Sequence, residues 1–217
     1  MRSVFITIAF IIAGFQFAFG QVSQGGEPIK MPPLKHGGIP VIEMPQITDE
    51  KFLRDTEIPA DESMLKNLRF AHGFEVNISP EEEGIWNTLP NGTKVWRLKI
   101  RSEGAYSISI IFNDFQLPRE SRLFLYNEKT NHYLGGFTSS NNKKSGKFAV
   151  SPVAGDEITI QYEVTSAENR KKPFVISSVN HDYKNILKYD DRRPMGIEAG
   201  SCNIDINCDL GDLWNDS

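Results

Sequence analysis

The residues able to do chemistry in this chain are few and widely spaced. The four histidines, His36, His72, His132 and His181, lack the close spacing that would make any two of them a metal-binding pair. No Gly-x-Ser-x-Gly, Gly-Asp-Ser-Gly or His-Glu-x-x-His pattern occurs, so no nucleophile, general base or zinc site is assigned and no cofactor is implied. Glu81-Glu82-Glu83 is a run of carboxylates, but no opposing carboxylate pairs with it. It is expected to be a solvated loop after Pro80. Asp205, Asn207, Asp209, Gly211 and Asp216 are spaced like ligands of a calcium loop of the EF-hand type. That loop needs glycine at its sixth place, where Leu210 stands, and no helices flank it, so calcium is not expected. The two cysteines, Cys202 and Cys208, sit close together with none elsewhere. They either bond each other across a small loop or seek partners outside this sequence.

The bulk composition sets the class. With 217 residues, 39% hydrophobic and 24% charged, the chain can bury a core of ordinary size. A formal net charge of −4 argues against nucleic acid, whose phosphates call for a basic face. The one dense basic run, Arg170-Lys171-Lys172, is short and is expected to be a solvated turn.

The N-terminus carries the clearest address. Arg2 supplies a positive start, Val4 to Phe19 are uncharged and mostly apolar, and Ala18-Phe19-Gly20 has the small-x-small pattern of a cleavage site. Residues 1–20 therefore read as a signal peptide cut between Gly20 and Gln21, against the alternative of an uncleaved anchor. Export to the extracellular side and no membrane contact after signal removal are the expectation. It would place both cysteines in an oxidising compartment.

The elements follow from punctuation and period. Residues 21–68 form an extended leader and linker, broken by Gly25-Gly26, Pro28, Pro32-Pro33, Gly37-Gly38, Pro40, Pro45 and Pro59. Within it the apolar stretch Ile39 to Met44 is expected to dock onto something. From Arg69 the pattern alternates with period two. Strands are expected near 70–78, 94–100, 105–112, 122–126, 133–137, 147–150, 157–164 and 174–179, with Tyr106, Ile108, Ile110 and Phe112 on one face. Asn91-Gly92 reads as a turn, although Asn91-Gly92-Thr93, like Asn77-Ile78-Ser79 and Asn215-Asp216-Ser217, also matches a glycosylation acceptor. Seven or eight short strands with no convincing helix between them predict an all-β fold, an antiparallel sandwich over 69–180. Residues 181–199 form a linker mixing basic residues with turn formers, and an exposed segment of that kind is what a protease cuts.

Two stretches resemble a known family. Gly200-Ser201-Cys202-Asn203-Ile204-Asp205, then Cys208 and Gly211-Asp212-x-Trp214, is similar to the first residues of mature lysyl endopeptidases, which are secreted bacterial trypsin-like serine proteases. Asp209-Leu210 departs from the Pro-Glu common there. Upstream, Leu89-Pro90-Asn91-Gly92, Val95-Trp96-Arg97-Leu98, Gly104-Ala105-Tyr106-Ser107, Leu123 to Asn127, Ser151-Pro152-Val153 with Gly155-Asp156, and Ser178-Val179-Asn180-His181 with Tyr183 resemble the pro-region of bacterial members. The likeness covers nearly all of residues 22–217, and the cysteine-bearing junction is its most specific part.

The resemblance implies a precursor. Residues 200–217 would be the N-terminal stub of a protease domain whose His, Asp and Ser act as base, orienter and nucleophile. All three would lie beyond the position of Ser217, so the pro-region itself carries no catalytic residue and its partner is the protease domain in cis. It also implies that Cys202 and Cys208 bond to distant partners rather than to each other. Self-processing, if shared with the family, would fall at Lys188, with Arg193 as the choice of a separate trypsin-like enzyme. The competing reading is a free-standing secreted β-sandwich that binds a ligand or a surface, with Tyr106, Trp96 and Trp86 as candidate stacking faces.

Overall fold

A computed structural model describes residues 22–32, 38–47, 70–165 and 172–190. Gly20, Gln21, His36, Arg193, Cys202 and Cys208, together with the calcium-like spacing at 205–216, lie outside the described residues.

The described residues fold as two facing β-sheets. The strands are β1 (Val41–Glu43), β2 (Ala71–Ile78), β3 (Ile85–Thr88), β4 (Lys94–Arg101), β5 (Ser107–Asn113), β6 (Ser121–Asn127), β7 (His132–Phe137), β8 (Phe148–Ala149), β9 (Val153–Ala154), β10 (Glu157–Val164) and β11 (Val175–Asp182). A short helix, α1 (Ile186–Asp190), follows. The first sheet runs β1-β4-β10-β6-β7, with β3 also paired to β4. The second runs β2-β11-β5-β8, with β9 also paired to β5. Every pairing is antiparallel except β1 against β4. The all-β sandwich expected from the period-two segments is the architecture found.

Alternation decides what each strand buries. From the first sheet Trp96, Leu98, Ile100, Leu123, Leu125, Ile158, Ile160 and Tyr162 enter the core, all without exposure. From the second come Ile108, Ile110, Phe112, Ile176 and Val179. One end of the core is aromatic: Phe115 stacks on Phe148 at 4.4 Å, and Phe174 meets Phe112 edge-on at 5.2 Å and Trp96 at 5.8 Å. A bulge in β11 between Ile176 and Ser178 keeps both Ile176 and Val179 facing inward.

Several expectations change in detail. The leader contributes β1: Ile42 pairs with Ile100 in register, and Met44 reaches the core. Tyr106 does not share the inward face of Ile108 to Phe112. It lies ahead of β5 and is 54% exposed, its N–H donating to Asp182 O where β5 and β11 meet at the end of their pairing. Trp96, one candidate stacking face, is a core residue whose indole N–H donates to Glu83 O at 2.7 Å. Gly84 permits this approach. Its φ of +86° is the left-handed region, and a Cβ there would strike the Trp96 ring. The hairpin β3–β4 turns through Asn91-Gly92, with Leu89 N–H donating to Thr93 O at 2.8 Å.

Candidate functional site

The outer face of the first sheet is where polar chemistry gathers. Across β4, β10, β6 and β7 the register sets Arg97 beside Gln161 and Phe124, and Lys99 beside Thr159, Tyr126 and Tyr133. An outward face of a sandwich ordinarily meets water, yet Gln161 is 1% and Glu163 2% exposed. Part of the cover is the leader. Residues 22–32 cross this face as a strap, entering at β7, where Ser23 Oγ donates to Gly135 O and Gln24 N–H donates to Gly136 O. Gly136, at φ +64°, lets the strap lie close, since a Cβ there would collide with Gly25 O. Farther along, Ile29 N–H donates to Glu163 Oε1 at 2.6 Å and Ile29 O accepts from Gln161 Nε2 at 3.0 Å.

Glu163 is the anchor of this arrangement. Its carboxylate also accepts from Gln161 Nε2 at 2.8 Å and Arg122 Nη2 at 2.8 Å. A buried carboxylate is tolerated where donors replace its water, and three do so here. Tyr126 continues the network, its hydroxyl donating to Gln161 Oε1 at 3.1 Å while its ring stacks on Tyr133 at 5.3 Å. Burial, with help from Glu128, pushes the Tyr126 phenol up to about 12. Toward the other end of β10, Glu157 accepts from Lys99 Nζ at 2.8 Å and from Arg101, and these bonds hold its carboxyl below the usual range.

A cavity of about 650 Å³ lies between the strap and the sheet. Arg97 lines it and is 7% exposed. One Nη donates to Asn87 Oδ1 at 3.2 Å, but the buried Nε has no hydrogen-bond partner among the described residues. Burial lowers the Arg97 pKa, with Tyr126 and Glu128 opposing that shift.

A second polar cluster sits between the sheets near the β11 end. Ser102 Oγ and His181 Nδ1 are 2.8 Å apart and both residues are buried. Burial lowers the His181 pKa, so the ring is held neutral, with Asp182 opposing and His72 reinforcing that shift. Asp182 is adjacent in sequence but its side chain turns to the other face, accepting from Ser107 Oγ at 2.6 Å, Lys184 N–H at 2.8 Å and Ile186 N–H at 3.1 Å. The geometry is therefore a Ser–His pair inside the core and a separate aspartate that tethers the start of α1, not a relay open to substrate.

The remaining residues singled out by sequence are dispersed. Among the described residues no three His, Cys, Asp or Glu side chains converge as a metal group. His132 Nδ1 accepts from Ala154 N–H at 3.1 Å, and His72 meets the Phe74 ring edge-on at 4.7 Å. Glu81, Glu82 and Glu83 are exposed, in a loop held by Glu82 and Glu83 N–H groups donating to Ser79 O. Lys188 lies exposed in α1, its N–H donating to Asn185 O at 3.0 Å. Trp86 is 36% exposed, packed edge-on against Tyr162. The strap and the Arg97 cavity were missed by sequence reasoning, because the strap's contacts span more than a hundred residues. The class defined by the fold is an all-β sandwich with a leader strapped across one sheet. No family model matches the chain, and no solved structure matches it.

Proposed function

We propose that this chain is the pro-region, with the first residues of the protease domain, of a secreted serine endopeptidase precursor of the lysyl-endopeptidase type. The observation that carries the reading is the junction Gly200-Ser201-Cys202-Asn203 with Cys208 and Gly211-Asp212, whose cysteine spacing resembles the family's mature N-terminus. Its place in the chain agrees with that reading. The last sandwich strand ends at Asp182 and α1 at Asp190, leaving Arg193 and the junction downstream of the sandwich. On this reading the sandwich is a folding unit exported with the protease domain and separated from it in the segment that holds Lys188 and Arg193. The fragment hydrolyses no peptide bond by itself.

The test is the coding sequence after the Ser217 codon. An in-frame continuation with Thr-Ala-x-His-Cys and Gly-x-Ser-Gly-Gly supports the reading. A continuation without a His, Asp and Ser set defeats it, and leaves the free-standing binding module as the better account.

A further inference from the structure

The geometry points to a binding site for a small zwitterion, a short peptide with free ends, in the cavity between the strap and the first sheet. Buried polar groups are almost always hydrogen-bonded, and an exception calls for a cause. Arg97 is such an exception: 7% exposed, its Nε lacking a partner among the described residues, beside a cavity of about 650 Å³. That volume lies within the range of pockets that hold small organic ligands.

The charges around the cavity select the ligand class. Glu128, in the β6–β7 turn, lines the same cavity and is near enough for its charge to favour the charged form of Arg97. Yet the two do not form a salt bridge, although their charges are complementary. A guanidinium and a carboxylate held apart across an open space suit a ligand that carries both signs: its carboxylate on Arg97, its ammonium at Glu128. A simple anion would meet repulsion from Glu128 and from Glu27 in the strap, and a simple cation would meet Arg97 and Lys30. The Tyr126–Tyr133 stack, both of whose residues line the cavity, supplies an apolar wall for the body of the ligand. Ile29, whose backbone is pinned to Gln161 and Glu163, fixes the roof. This site is independent of the precursor reading and stands or falls separately from it.

The experiment uses the full chain, titrated by calorimetry and by amide NMR shifts with four probes: Ala-Ala, N-acetyl-Ala-Ala, Ala-Ala amide and free alanine. Ala-Ala is expected to shift the signals of residues around the cavity, and blocking either end to weaken binding by about tenfold or more, as loss of one charge-assisted contact implies. In Arg97→Gln, Ala-Ala and its amide should bind alike. In Glu128→Gln, Ala-Ala and its N-acetyl form should bind alike. Circular dichroism confirms folding of each variant, and because Glu128 is exposed in a turn, its variant keeps the test available if Arg97→Gln fails to fold. Equal binding of free alanine supports the site with an amino acid as the source of the zwitterion. No shift at cavity residues with any probe, or an amide that binds the native chain as tightly as Ala-Ala, overturns the proposal.

Discussion

Removing the Glu163 carboxylate should loosen the strap and lower the stability of the sandwich together. In Glu163→Ala three accepted bonds vanish, from Ile29 N–H, Gln161 Nε2 and Arg122 Nη2. The Arg122 side chain is 45% exposed, so water compensates it and that pair contributes little. The other two donors are partly or wholly buried, and hydrogen bonds to an ionised acceptor are each worth about 1.5–3 kcal/mol. Against them stands the desolvation of a 2% exposed carboxylate, which the substitution relieves. The net expectation is a loss of about 2–3 kcal/mol, with Glu163→Gln costing about half as much because one acceptor oxygen survives. Urea unfolding gives the magnitude, and limited trypsinolysis after Lys30 under native conditions reports the strap. Cleavage there should accelerate in the alanine variant. A stability change under about 0.5 kcal/mol with an unchanged rate after Lys30 would refute the reasoning, since surface substitutions lie within that range.

Four further outcomes are expected. Tyr162→Phe should be close to neutral, because among the described residues the buried hydroxyl has only the Ser121 side chain to offset its desolvation and no well-formed hydrogen bond to lose; a loss above about 1 kcal/mol by urea titration would contradict this. His181 has a folded pKa below its unfolded value near 6.5, so the unfolded chain binds the extra proton first and stability falls as pH drops below about 6.5. Unfolding free energies of native chain and His181→Gln between pH 5 and 7.5 should show a flatter slope in the variant. Gly136→Ala should cost about 1 kcal/mol or more and free the strap, since φ is +64° and the Cβ would meet Gly25 O; unchanged trypsinolysis after Lys30 would count against it. Deleting residues 191–217 should leave the thermal transition nearly unchanged, and collapse of the folded signal would show that the tail belongs to the core.

The fold was legible where a strand buries one face. Glu157 to Val164 alternates Ile158, Ile160, Tyr162 and Val164 against Thr159, Gln161 and Glu163, and that period marks it as a strand. Such alternation ordinarily sets a solvated face opposite the buried one. It could not reveal that the outward residues are buried too, because part of the cover comes from Ile29, 134 positions away from Glu163. Ile85 to Thr88 went unread as a strand, being only four residues long between Gly84 and a turn. Val41 to Glu43 carries too little pattern to announce a parallel pairing with β4, although its apolar character signalled docking. Ser102 and His181 meet across 79 residues, a distance at which spacing carries no signal. Arg97 falls in a stretch legible as a strand, but its unpartnered Nε depends on neighbours from β3, β6 and the strap.

The central claim, that this chain is the front of a protease precursor, is tested most directly by the N-terminal sequence of the secreted polypeptide that contains Cys202. The account predicts a new terminus between Tyr189 and Gly200, separate from the sandwich, in material that cleaves after lysine. A start upstream of Lys184, with the sandwich still joined to Cys202, or a start beyond Cys202, would contradict it.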